Sequence, residues 1–128
     1  MDKKLQDSLS KIKLLICDID GVLTDGSFVK STSGDELRSF NALDGVGFVT
    51  LRLLNLNIKT AWITGRESLT TTQRAEELQI DDVYNGVIRK IDAYDELKKK
   101  YGVLDNEVCF IGDDIIDIPI LEKVGFAV

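Results

Sequence analysis

Two short apolar runs about ninety residues apart each end in carboxylates and a glycine. Ile12-Lys13-Leu14-Leu15-Ile16-Cys17 leads into Asp18-Ile19-Asp20-Gly21-Val22-Leu23-Thr24-Asp25-Gly26, and Val108-Cys109-Phe110-Ile111 leads into Gly112-Asp113-Asp114-Ile115-Ile116-Asp117. Runs of this length and apolarity read as buried strands, and strands buried on both faces belong to parallel sheets. The turn at the carboxyl end of such a strand is where open α/β sheets build their ligand sites. Carboxylates gathered at two such turns repel one another unless a hard cation sits among them, and an all-oxygen ligand set favours Mg²⁺ over softer metals. The pattern predicts metal-assisted chemistry on one rim of a sheet.

The intervening chain alternates strand-like and helix-like patterns. Ser27 to Phe40 has a polar tip containing Gly34 and predicts a β-hairpin. Asp44 is an N-cap candidate for an apolar helix through Val46, Phe48, Val49, Leu51, Leu53 and Leu54, with Asn55 as a left-handed stop. Ile58–Ile63 is strand two, Glu67–Leu78 a polar helix, Asp82–Tyr84 strand three, and Asp92–Tyr101 a helix stopped by Gly102. Glu107–Ile111 is strand four, Asp117 caps a short helix with Pro119 in its first turn, and Phe126-Ala127-Val128 starts a further strand. Parallel neighbours need helical crossovers. The expected fold is therefore α/β: a doubly wound, mostly parallel Rossmann-like sheet with a small β-hairpin insertion after strand one and no cap domain. At 128 residues, 44% hydrophobic, the chain suits a single domain over residues 1–128.

Composition removes several chemistries. Histidine is absent, which excludes a Ser-His-Asp triad, a His zinc site and phosphohistidine, leaving acid–base work to carboxylates, Lys, Tyr or Cys. Cys17 and Cys109 lack Cys-x-x-Cys spacing and a following phosphate-binding Arg, so they read as buried reduced thiols. A formal net charge of -6, without a basic block beyond Lys98-Lys99-Lys100, gives no nucleic-acid footprint. The amino-terminal stretch lacks the apolar centre of a signal peptide, and no run has membrane-spanning length. The expectation is a soluble, cytoplasmic protein with neither nucleic-acid nor membrane partners.

In a doubly wound sheet the turns after strands one, two and four converge, bringing Thr64, Gly65, Arg66 and Lys90 to the acidic rim. One of Asp18 and Asp20 can act as nucleophile and the other as acid. Thr64 and the Gly65 amide supply donors for phosphate oxygens, and Lys90 supplies positive charge. Asp113 completes a cation's coordination, while Asp114 or Asp117 holds Lys90 or metal-bound water. The set matches phosphoryl transfer. Taken singly, each residue has a plainer reading: Thr64 an N-cap, Arg66 and Lys90 solvated charges, Asp25 and Asp44 turn and cap residues, Trp62 core. An EF-hand is excluded because the twelfth position from Asp18 is Val29, and Gly45-Val46-Gly47 lacks the third glycine of a dinucleotide loop.

Asp-x-Asp-Gly-Val-Leu-Thr-Asp-Gly, Ile-Thr-Gly-Arg, a Lys after Asn-Gly, and Gly-Asp-Asp-x-x-Asp occur in this order. Together they resemble the haloacid dehalogenase superfamily of aspartate-nucleophile phosphatases, and within it the cap-less branch acting on 3-deoxy-D-manno-octulosonate 8-phosphate. The resemblance runs from about Lys11 to Val128. It implies Asp18 as nucleophile, Asp20 as general acid and base, and Mg²⁺ held by Asp18, the Asp20 carbonyl and Asp113. Thr64 and Lys90 would contact phosphate. It further implies a sugar-acid phosphate substrate, a place in lipopolysaccharide sugar biosynthesis, and a homotetramer in which hairpins pack together and a neighbouring subunit covers the site. Arg66 resembles a selector for a substrate carboxylate. Arg89 stands where relatives commonly have Asp, and Leu43 where many have Arg. Relatives also continue past Gly-Phe-Ala-Val into a Gly-rich tail that contacts substrate, which implies either a chain without those contacts or a sequence that continues.

Three other readings stay open. One is a phosphatase for a nine-carbon sialic-type acid phosphate. Another is a non-catalytic oligomerisation module of the kind appended to sugar-nucleotide synthetases. The third is a signalling receiver domain, which shares an acidic Mg²⁺ pocket, a Thr and a Lys but places its phosphoacceptor after strand three, whereas the second acidic cluster here follows strand four.

Overall fold

β1 (Leu14–Cys17) lies at the centre of a five-stranded parallel sheet because it is apolar on both faces. The computed structural model describes residues 2–128. β4 (Lys59–Ile63) and β5 (Asp82–Tyr84) add on one side of β1, and β6 (Val108–Ile111) and β7 (Phe126–Ala127) on the other, giving the order β5-β4-β1-β6-β7. The chain thus winds outward in both directions from β1, and the reversal between β1 and β6 opens the crevice where doubly wound sheets bind ligands. Register places Leu14 against both Lys59 and Val108, so β1, β4 and β6 end on one rim.

Strand alternation divides the core in two. Leu14, Ile16, Ala61, Ile63, Val108 and Phe110 face α4 (Lys90–Tyr101) and α5 (Ile118–Leu121), burying Tyr94, Leu97 and Ile120. Cys17 and Trp62 face α2 (Ala42–Leu53) and α3 (Leu69–Leu78), where Phe48, Ala75 and Leu78 cover them. Trp62 is a core residue, stacked with Phe40 at 6.4 Å and met edge-on by Phe48 at 5.7 Å. Both cysteines are free and buried, and burial pushes their thiols up, Cys109 to about 11. Among the described residues no helix is long and apolar enough to cross a membrane.

The inserted hairpin is β2 (Val29–Lys30) paired antiparallel with β3 (Glu36–Leu37), and no cap domain is present among the described residues. Several boundaries differ from expectation. α2 is capped by Asn41, whose side chain accepts from the Leu43 N–H, and Asp44 sits within its first turn. The stacking of Phe40 on Trp62 fixes where the chain enters this helix. α3 starts after Ser68 rather than at Glu67, and α4 starts at Lys90 rather than Asp92. Asn55 and Gly102 adopt the expected left-handed conformation. A further helix, α1 (Lys3–Leu9), is capped by Asp2 and buries no residue.

Candidate active site

The β1–β6 ladder extends one rung past β1 when the Asp18 N–H donates to the Ile111 carbonyl at 2.9 Å. That bond fixes Asp18 at the mouth of the crevice. The chain then folds over Ile19, whose carbonyl accepts from the N–H groups of Leu23 and Thr24. Lys90, first residue of α4, reaches from below with its ammonium 2.7 Å from Asp18 Oδ1 and 2.6 Å from Asp117 Oδ1. Lys90 is 1% exposed, Asp117 0% and Asp18 4%. Burial pushes the Asp18 carboxyl up to about 6, with Lys90 opposing the shift and Asp117 adding to it.

Asp18, Asp113 and Asp117 bring one carboxylate oxygen each within 4.8 Å of one another. Asp18 and Asp117 share one buried ammonium and the exposed Asp113 lies beside them, which leaves negative charge that a hard divalent cation offsets, so these oxygen donors fit Mg²⁺. Gly21 makes room for this grouping. It has φ +96°, and a Cβ there would lie 1.9 Å from Asp113 Oδ2. Gly21→Ala is expected to lower stability by about 1–3 kcal/mol through backbone strain and to weaken Mg²⁺ binding on the order of 10-fold by displacing Asp113. Thermal melts and titration calorimetry check both effects; unchanged Mg²⁺ affinity would remove Asp113 from the cation site.

The remaining residues occupy distinct positions. Thr64, buried at the end of β4, donates to Asp20 Oδ2 at 3.4 Å and accepts from the Arg66 N–H at 3.2 Å. Gly65 lies beneath Ile88 and Ile116, which a Cβ would meet at 3.3 and 3.4 Å. Arg66 lies over the Phe28 ring at 3.8 Å, with Nη1 3.8 Å from Glu36 Oε2, and is thereby tied to the hairpin. Of the two candidates for holding Lys90, Asp117 makes the contact. Asp114 is exposed, its carboxylate accepting from the Ile115 N–H while its own N–H donates to Asp117 Oδ2. Asp25 is an exposed turn residue accepting from the Ser27 N–H and hydroxyl, which hold its carboxyl below the ordinary range.

Sequence reasoning overlooked Arg38. Its side chain has no solvent exposure, and its Nη1 lies 3.1 Å from Asp20 Oδ1. The available signal was the period-two pair Glu36 and Arg38, which shares one face of the hairpin's return strand while Leu37 takes the other.

A family model for haloacid dehalogenase-like hydrolases matches residues 62–128. The 3-deoxy-D-manno-octulosonate 8-phosphate phosphatase KdsC of Salmonella typhi is 41% identical over 117 residues, covering 91% of this chain and 61% of the relative. The chain thus spans less than two thirds of that relative's length. The crystal structure of 3-deoxy-D-manno-octulosonate 8-phosphate phosphatase from Yersinia pestis superposes with a TM-score of 0.93 at 37% identity, over 99% of this chain and 68% of that one. The Moraxella catarrhalis enzyme of the same name, solved with magnesium ion, phosphate ion and KDO, gives a TM-score of 0.90 at 35% identity, over 98% and 71%. A sheet reversing at an aspartate bound to a buried lysine, a family match over half the chain, and this degree of likeness agree: the chain belongs to the haloacid dehalogenase-like hydrolases.

Proposed function

We propose that this chain is a Mg²⁺-dependent phosphatase that hydrolyses 3-deoxy-D-manno-octulosonate 8-phosphate through an aspartyl-phosphate on Asp18, in lipopolysaccharide sugar biosynthesis. The observation that carries the reading is the buried Asp18, bound to Lys90 at 2.7 Å, with Asp20 two residues on and turned to Thr64. Likeness to phosphatases of that specificity supports the substrate.

An Asp18 carboxylate oxygen attacks phosphorus, the bond from phosphorus to the sugar oxygen breaks, and that oxygen takes a proton from Asp20. Asp20 then takes a proton from water, whose oxygen attacks phosphorus to free phosphate and restore Asp18. Thr64, the Gly65 amide and Lys90 hold the phosphoryl oxygens. Asp18, the Asp20 carbonyl and Asp113 hold Mg²⁺, while Asp117 fixes Lys90 and Asp114 braces Asp117 through its N–H. Mg²⁺ supplies charge that offsets repulsion between carboxylate and phosphate. Arg66 pairs with the substrate carboxylate, exchanging its 3.8 Å contact with Glu36.

Residues 1–128 act as one catalytic domain. Val29 and Leu37 on the hairpin are 63% and 67% exposed, an apolar edge that a second copy would cover; this supports a homotetramer with hairpins packed together. Two free buried thiols suit the reducing cytoplasm.

The test is phosphate release from the octulosonate phosphate, a nine-carbon acid phosphate and p-nitrophenyl phosphate, with Mg²⁺ or with chelator. Chelator-sensitive release, fastest on the octulosonate, is expected. A preference for the nine-carbon acid would reassign the substrate, and folded protein inert to all three would leave an assembly module.

A further inference from the structure

The hairpin enters the site through one side chain. Arg38 follows β3, on an insertion whose residues are mostly exposed, yet its guanidinium is buried. Burying a charge is costly unless it is paired, and Arg38 is held at three points. Nε donates to Glu36 Oε1 at 2.9 Å, and Nη1 donates to Thr71 Oγ1 at 3.3 Å while lying 3.1 Å from Asp20 Oδ1. The contact with Asp20 is close but off the hydrogen-bond line. Asp20 Oδ1 and Arg38 Nη2 are both buried without a hydrogen-bond partner. A spare acceptor and a spare donor on two groups already in contact pair after a small rotation. Catalytic hydrogen bonds that are misaligned in a free enzyme commonly tighten in this way once substrate binds.

We propose that Arg38 is a positioning residue for Asp20, aiming its carboxyl at the oxygen that leaves phosphorus, with Glu36 and Thr71 fixing Arg38 in turn. The inference rests on the phosphatase reading. It makes the hairpin part of the reaction apparatus of its own subunit: Glu36, Arg38 and Asp20 form a continuous chain from insertion to acid.

Leaving-group dependence tests this role. A sugar alkoxide needs the Asp20 proton to depart, whereas p-nitrophenolate leaves without one, and kcat/KM reports the step in which that bond breaks. Arg38→Met is expected to lower kcat/KM for the octulosonate phosphate on the order of 10²-fold, the size of a general-acid contribution, with p-nitrophenyl phosphate changed several-fold at most. Arg38→Lys should restore part of the loss, and Thr71→Val should shift the ratio of the two substrates in the same direction by less. In an Asp20→Asn background, Arg38→Met should have no further effect on the sugar phosphate. Equal losses on both substrates, no loss on either, or an undiminished loss in the Asp20→Asn background would each overturn the proposal. Should Arg38→Met fail to melt cooperatively, the Lys and Val variants carry the same comparison. Folded wild-type protein inert to both substrates would instead overturn the phosphatase reading, and the role of Arg38 with it.

Discussion

Asp18→Asn is expected to abolish phosphate release, on the order of 10⁴-fold or more, while leaving a folded protein whose metal-free stability at pH 7 equals or exceeds the wild type's. The first half follows from the proposed role of Asp18 as nucleophile, without which the remaining groups have no covalent step to support. The second half follows from electrostatics. Burial raises the Asp18 carboxyl from its ordinary value near 4 to about 6 despite the Lys90 ammonium. A carboxyl raised by folding ionises first in the unfolded chain, so stability falls as pH rises from about 4 to about 6 and stays lower above it. At about 1.4 kcal/mol per unit the cost has a ceiling of about 3 kcal/mol. Asparagine carries no charge and keeps an oxygen for Lys90. With chelator present, the two proteins should melt together at pH 4 and diverge by about 1–3 kcal/mol at pH 7, with the variant the more stable. A variant less stable at pH 7 would mean that the Asp18–Lys90 pair outweighs the desolvation of Asp18.

The sheet was legible because strands buried on both faces leave little choice of neighbours. Leu14 to Cys17 and Val108 to Ile111 fall within such apolar runs, while Asp82 to Tyr84, a half-buried edge strand, falls where the alternation of strands and helices places it. Helix starts were less legible, since they depend on contacts distant in sequence. Asn41 and Asp44 are both good caps three residues apart, and the stacking of Phe40 on Trp62 selects the first. α4 begins two residues before Asp92 because Lys90 is drawn inward between Asp18 and Asp117. α1 has the cap signal of Asp2 but no buried stripe, so hydrophobic periodicity gave no sign of it.

The site divides along the same line. Asp18, Thr64 and Asp113 lie at or just past strand ends, where register alone brings them together. Choosing between Asp114 and Asp117 required the geometry of the short turn over Ile115–Asp117, which directs one carboxylate to solvent and the other to Lys90. Arg38 escaped notice because nothing local distinguishes a buried arginine from the solvated ones; its partners Asp20 and Thr71 are 18 and 33 residues away. The tie of Arg66 to the hairpin is equally non-local: its guanidinium lies over the Phe28 ring with Nη1 3.8 Å from Glu36 Oε2, partners 38 and 30 residues away.

Lys90→Met is expected to be the most destabilising single substitution at the rim as well as an inactivating one. Methionine matches the length of the stem, so packing against the α4 side of the core is retained and the loss is of charge. Asp18 and Asp117, 4% and 0% exposed, then face each other and Asp113 without a cation. Breaking a buried pair by removing one partner typically costs about 3–5 kcal/mol, a large share of the roughly 5–15 kcal/mol that holds a domain folded. The deficit should depend on pH in a definite direction. Without the ammonium, which opposes the rise of the Asp18 carboxyl to about 6, that carboxyl goes higher still, so the gap between variant and wild type should widen as pH rises above about 6 and narrow as pH falls back to it, where protonation of Asp18 relieves the repulsion. Asp117→Asn in the Lys90→Met background should recover part of the stability but none of the activity, because it removes the uncompensated charge without restoring a cation for phosphate. Urea titrations at pH 5 and pH 8, in chelator, separate the outcomes. A deficit that does not vary with pH would assign the lost stability to packing, and no deficit at all would mean that solvent or rearrangement replaces Lys90 between the two carboxylates.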